Sequence, residues 1–189
     1  MKPQNNTAFK EWAVVVQGME EGKQTLLLAK EGVKEEDGKL QCEHPEFFLY
    51  PTRGFGAADI KPDWKPRLGK IEKAAGDPKH VPFRIYCLAE DVVKVTDLDL
   101  ARQLIPFTVL SDANVERRFK EGGWEGFYCI LTRCHTLAMP MDLTRKDAYE
   151  KSPLWVNLET SIYTVGSLPV LPDEVWPFTK NKIVKMLQP

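Results

Sequence analysis

The chain has 189 residues, 43% hydrophobic and 28% charged, which excludes a disordered polymer and permits a core without disulfides or a structural metal. Its 26 basic and 27 acidic side chains leave a formal net charge of -1. No overall charge therefore draws it to nucleic acid or anionic lipid, and any nucleic-acid surface has to be a local patch.

Met1 to Thr7 is polar, with no apolar core of a signal peptide. No apolar run is long enough to span a bilayer, so a cytoplasmic protein without membrane contact is expected. Trp12 to Gln17 and Thr25 to Ala29 are apolar runs on either side of a polar turn at Gly22. They predict a β-hairpin covered on both faces, the centre of the sheet. Glu31 to Gln41 is charged and predicts a loop, with Asp37-Gly38 in a turn. Phe47 to Tyr50 predicts a strand stopped by Pro51.

Arg53 to His80 carries glycines at 54, 56, 69 and 76 and prolines at 62, 66 and 78. This predicts an irregular loop, 53–80, with a short helix between Lys65 and Ala75. Val81 to Val95 resumes strand character. Thr96 with Asp99 suggests a capping box before a helix that Pro106 ends. Ser111 or Asp112 caps a second helix, which stops at Gly122-Gly123. Phe127 to Leu137 and Leu154 to Leu158 predict strands, with a short helix or turn over 142–151 between them. Prolines at 169, 172 and 177 mark an irregular segment, 166–189, with a terminal helix after Thr179. The order is not a strict β-α-β alternation. It predicts one α+β domain over 1–189, with a mainly antiparallel or mixed β-sheet and a few short helices.

Lys10-Glu11-Trp12-Ala13-Val14, Leu27-Leu28-Ala29-Lys30-Glu31-Gly32-Val33, Glu43-His44 and Phe48-Leu49-Tyr50-Pro51-Thr52 resemble the bacterial family catalogued as domain of unknown function 1802. Arg118-Phe119, Arg133 with Leu137 and Pro140, and Trp155-Val156 extend the resemblance over nearly the whole chain. The family brings no catalytic residues to carry over. In some proteins the region is joined to a restriction-endonuclease domain, which implies by association a role in DNA restriction or modification. Two departures stand out. Arg53-Gly54-Phe55-Gly56 replaces an aromatic and an acid/His pair, and Glu31 replaces a glycine.

Chemistry motifs are sparse. No G-x-S-x-G elbow, phosphate loop or metal-ligand spacing is present, and no cofactor or metal is called for. Cys42, Cys87, Cys129 and Cys134 form no C-x-x-C pair and are expected to be free thiols in a reducing compartment. A nuclease-type Mg²⁺ site could use Asp63 and Asp77 with Lys79, although Pro78 suits a loop better than a strand. Histidines 44, 80 and 135 could meet at a metal with Glu43 or Glu46, but nothing in their spacing asks for it.

Seven basic residues against four acidic ones lie between Arg53 and Lys79. Arg53, Lys61, Lys65, Arg67 and Lys70 could grip phosphates, with Trp64 as a stacking platform. The competing expectation is a solvated loop with Trp64 packed down. Lys10, Glu11, Lys30 and His44 flank the most apolar segments, as a structural ion pair or a binding cluster. Three functions stay open: an accessory nucleic-acid module, a Mg²⁺-dependent phosphodiesterase, or a protein-interaction module using Trp64, Trp124 or Trp176.

Overall fold

A computed structural model describes residues 1–188. Among them lies a mixed seven-stranded sheet in the order β2-β7-β6-β5-β1-β8, with β9 added to β7. These strands are β1 (Gln4–Trp12), β2 (Leu26–Ala29), β5 (Glu46–Thr52), β6 (His80–Val95), β7 (Phe127–Thr144), β8 (Trp155–Tyr163) and β9 (Leu168–Pro169). β1 and β5 run parallel, and the other pairs are antiparallel. The α+β class read from the sequence is the class observed.

The expected hairpin around Gly22 is not there. Ala13–Glu20 is a helix, α1, and only its return partner β2 is a strand. The three valines at 14–16 are buried in α1, as are Ala13, Gly18 and Met19. β-branched residues cost a helix up to about 0.7 kcal/mol each. Burying a valine returns roughly 1.5–3 kcal/mol in either geometry, so burial decides and propensity does not. Gly18 is needed where it stands: a Cβ there would sit 2.6 Å from Val109 Cγ1.

Two further expectations need correction. Residues 31–41 are not a loop but hold most of a separate hairpin of β3 (Val33–Glu36) and β4 (Lys39–Cys42). Asp37 and Gly38 turn it, with φ of 52° and 72°, the two positive values that a two-residue turn of type I′ requires. Pro51 does not stop β5, which continues to Thr52 with Pro51 beside Glu11 of β1.

The remaining helices lie near their expected places. Pro62–Arg67 is a 3-10 turn leading into α2 (Leu68–Ala75). α3 (Leu98–Gln103) is capped by Asp97, whose carboxylate accepts from the Asp99 and Leu100 N–H groups, so the cap lies one residue after Thr96. α4 (Asp112–Lys120) starts at Ser111, whose hydroxyl accepts from Asn114 N–H. α5 (Asp147–Lys151) is shorter than the expected segment, because β7 runs on to Thr144. α6 (Trp176–Leu187) buries Ile183 and Leu187 and begins before Thr179, with Pro177 in its first turn.

The sheet has two apolar faces. The larger core includes α1, α4 and α6 packed on Phe47, Ile130 and Leu131. The smaller joins Tyr50, Phe83 and Tyr86 to Val156, Leu158 and Ile162 of β8. No helix among the described residues is long and apolar enough to cross a membrane.

Candidate functional site

The end of β1 sets the site. Strand alternation sends Lys10 and Glu11 to opposite faces of the sheet. Glu11 is buried, and its carboxylate takes a fork of two hydrogen bonds from Arg118 of α4, at 3.0 and 3.2 Å. Arg118 also donates to the Leu28 carbonyl at 3.3 Å. Its guanidinium lies 4.5 Å from the centre of the Trp12 ring, so the pair also stacks. Phe55 packs on Trp12 with ring centres 5.8 Å apart.

Lys30 continues the row. Its ammonium donates to the carbonyls of Phe119, Trp124 and Gly126, at the turn between α4 and β7. Burial pushes its pKa below the ordinary lysine value. Lys30 and Lys94 each approach the Trp124 ring to 5.2 Å, and Tyr128 lies 5.4 Å beyond. Trp12, Leu28, Lys30, Arg117, Arg118 and Glu121 line an open cleft of about 300 Å³. The result is a run of aromatic and cationic groups, Trp12, Arg118, Lys30, Trp124 and Lys94, with Phe55 buried behind Trp12.

The four residues expected as one polar cluster are divided. Glu11 and Lys30 border this cleft through Arg118 and Leu28. Lys10 does not: its ammonium donates to the Glu150 and Ser152 carbonyls on the opposite face. There Tyr50 donates to Glu150 at 2.6 Å, and burial raises the Tyr50 pKa. His44 is exposed and sits edge-on to Trp155 at 4.7 Å.

The basic loop is divided as well. Trp64 is 8% exposed and belongs to the core, so its face is not open for stacking. Lys61 turns inward to the Ile105 and Thr108 carbonyls, and burial lowers its pKa. Arg67 pairs with Glu21 at 2.7 Å and covers the Trp64 ring. Lys65 and Lys70 are exposed. Arg53 is exposed; its backbone follows Thr52, the partner of Trp12 in the sheet, and its side chain lies against Gly76 at the end of α2.

Asp63 and Asp77 do not meet. They lie at opposite ends of the 3-10 turn and α2, and Asp77 caps the N–H groups of Lys79 and His80. His80 faces Asp77, while His135 of β7 pairs with Pro169 of β9. Among the described residues no three His, Cys, Asp or Glu side chains gather as metal ligands. Trp176 is buried and donates to Glu90, while Trp124 is half-buried.

Asp59 ties the loop after β5 to α4. It accepts from Gly56 N–H at 2.8 Å, Asn114 at 3.0 Å and Arg117 at 2.7 Å. Burial alone would raise its pKa, but these hydrogen bonds outweigh it and hold the carboxyl below the ordinary value. The stability it gives is complete above the unfolded value near about pH 4 and is lost as pH falls through the lower folded value. Asp59→Asn should flatten the acid limb of a stability–pH curve in that window. Parallel curves for the two proteins would refute the assignment.

No curated protein matches the chain. Among solved structures, ASCH from Zymomonas mobilis is 15% identical, over 95% of this chain and 93% of that one, with a TM-score of 0.45. A serine-to-alanine mutant of ZmASCH from the same organism is 14% identical over 98% and 99%, with a TM-score of 0.46. The model of the family described as domain of unknown function (DUF1802) matches residues 8–181. That span contains Glu11, Trp12, Lys30, Arg118 and every other residue of the cleft, and the chain belongs to the DUF1802 family.

Proposed function

We propose that this chain is a nucleic-acid-associated module that holds a single strand along the Trp12–Arg118–Lys30–Trp124–Lys94 row. The observation that carries it is the interleaving of aromatic rings with cations beside an open cleft. Bases stack on any aromatic face, and cations between the faces track the phosphates. Four free cysteines suit a cytoplasmic setting. The restriction or modification role stays an association of the family resemblance, and the row does not depend on it.

The charge of the row sets its salt dependence. Arg118 is neutralised by Glu11. Among the described residues, Lys30, Lys94 and Arg53 have no carboxylate within ion-pair distance. Lys30 spends its three donors on the Phe119, Trp124 and Gly126 carbonyls, so Lys94 and Arg53 are left for phosphates, and two contacts on a single strand give a log–log salt slope of about −1.4. Fluorescence anisotropy with a labelled single-stranded oligonucleotide should show that slope. Trp12→Ala should weaken binding about tenfold at fixed salt, through the lost stacking. Absence of binding at low ionic strength removes the proposal.

A further inference from the structure

A second cleft, of about 290 Å³, opens between α1 and α2 on the other side of the Trp12–Ala13 junction. Val16, Ile71 and Ala75 form its apolar walls, with Pro51 and Pro82 beside them. Two charged side chains, Glu20 and Arg84, also line it. Their states differ. Arg84 is anchored: it pairs with Asp142 at 2.7 Å and reaches the Phe83 carbonyl at 3.3 Å. Glu20 is half-buried at the end of α1. Among the described residues its carboxylate has no hydrogen bond, and no cation stands within 4 Å of it.

A carboxylate taken partly out of water without a partner costs free energy, and burial accordingly raises the Glu20 pKa. Arg84 acts on Glu20 through its charge but does not bond it. The gap between the two therefore offers two acceptor oxygens on one side and a guanidinium on the other, between apolar walls. A ligand that fits is flat and apolar on its faces, with two adjacent N–H donors and a neighbouring acceptor on one edge. Guanine presents that edge: N2–H, N1–H and O6. Cytosine presents one donor and two acceptors, uracil a single donor between two acceptors, and adenine one donor beside one acceptor.

We propose that the α1–α2 cleft receives one unstacked guanine, with N1–H and N2–H on the Glu20 carboxylate and O6 toward Arg84. Ala13 lines the cleft and is joined to Trp12, so the cleft lies one residue along the chain from the row. An enzyme or binder that reads a flipped base does so through that edge, as this cleft would. The inference rests on the single-strand reading for how the base arrives, but the pocket itself can be tested without it.

The probes are three labelled oligothymidylates that differ at one central position: guanine, inosine or an abasic site. Inosine lacks the N2 amino group. The wild-type chain should bind the guanine oligonucleotide about tenfold more tightly than the abasic one, with inosine between them. Glu20→Gln should bring the guanine oligonucleotide to the abasic level, because an amide offers one acceptor and one misplaced donor. Circular dichroism checks that the variant folds; Glu20 has no partner to lose. Equal wild-type affinity for the three probes overturns the pocket and leaves the row intact. Should no oligonucleotide bind, the row fails, and a titration with guanosine 5′-monophosphate decides the pocket. Binding that Glu20→Gln abolishes then supports it, and no binding overturns it.

Discussion

Arg118→Ala will cost the fold about 3 kcal/mol, read as a lower midpoint of urea unfolding at neutral pH with an unchanged slope. The reason is what the variant leaves behind. The Glu11 side chain is 6% exposed, and its two oxygens lose both Arg118 hydrogen bonds at once. One oxygen keeps the Trp12 N–H at 2.7 Å, which cannot solvate a whole carboxylate. Breaking one partner of a buried pair costs about 3–5 kcal/mol, and the 17% exposure of Arg118 puts this case at the low end. A double variant, Glu11→Gln with Arg118→Met, should recover most of the loss, since no charge is then stranded. A shift worth less than about 1 kcal/mol for Arg118→Ala would mean that the pair behaves as a surface one.

The same pair shows what the sequence could and could not display. Local signals worked: Ser111 before α4, the strand character of Phe127 to Leu137, and the short helix before Ala75 are set by residues close in the chain. Val14-Val15-Val16 misled because a run buried on every side has no period, so strand and helix look alike. Arg118 was invisible as the partner of Glu11, at 107 positions away. Only the family resemblance touched both, since Glu11-Trp12, Lys30 and Arg118 all fall in the matching segments. Trp64 in a basic loop fits a stacking platform or a buried anchor equally well by sequence. The packing that gives it 8% exposure comes from elsewhere in the fold. Glu20 carried no sequence signal at all, because an unpaired carboxylate is defined by neighbours that fail to arrive.

Gly126→Ala tests the other end of the row, and it should destabilise the chain by roughly 3 kcal/mol. Gly126 has φ of +130°, a backbone state that a side chain strains. A Cβ there would lie 2.4 Å from the Val95 carbonyl oxygen and 2.4 Å from the Trp124 ring. The ring can swing away; the carbonyl belongs to β6 and cannot. Relief must come from the turn itself, which holds Gly126 N–H on the Phe119 carbonyl at 2.8 Å. Moving that turn separates the three carbonyls that hold Lys30 and shifts Trp124 away from Lys30 and Lys94. Stability and strand binding should therefore fall together in this variant. Gly123→Ala, three residues earlier, is the control: its Cβ meets nothing within 4 Å, and it should change stability by no more than about 0.5 kcal/mol. Equal effects from the two substitutions would show that the turn yields freely, and that Lys30 and Trp124 are not held in place by it.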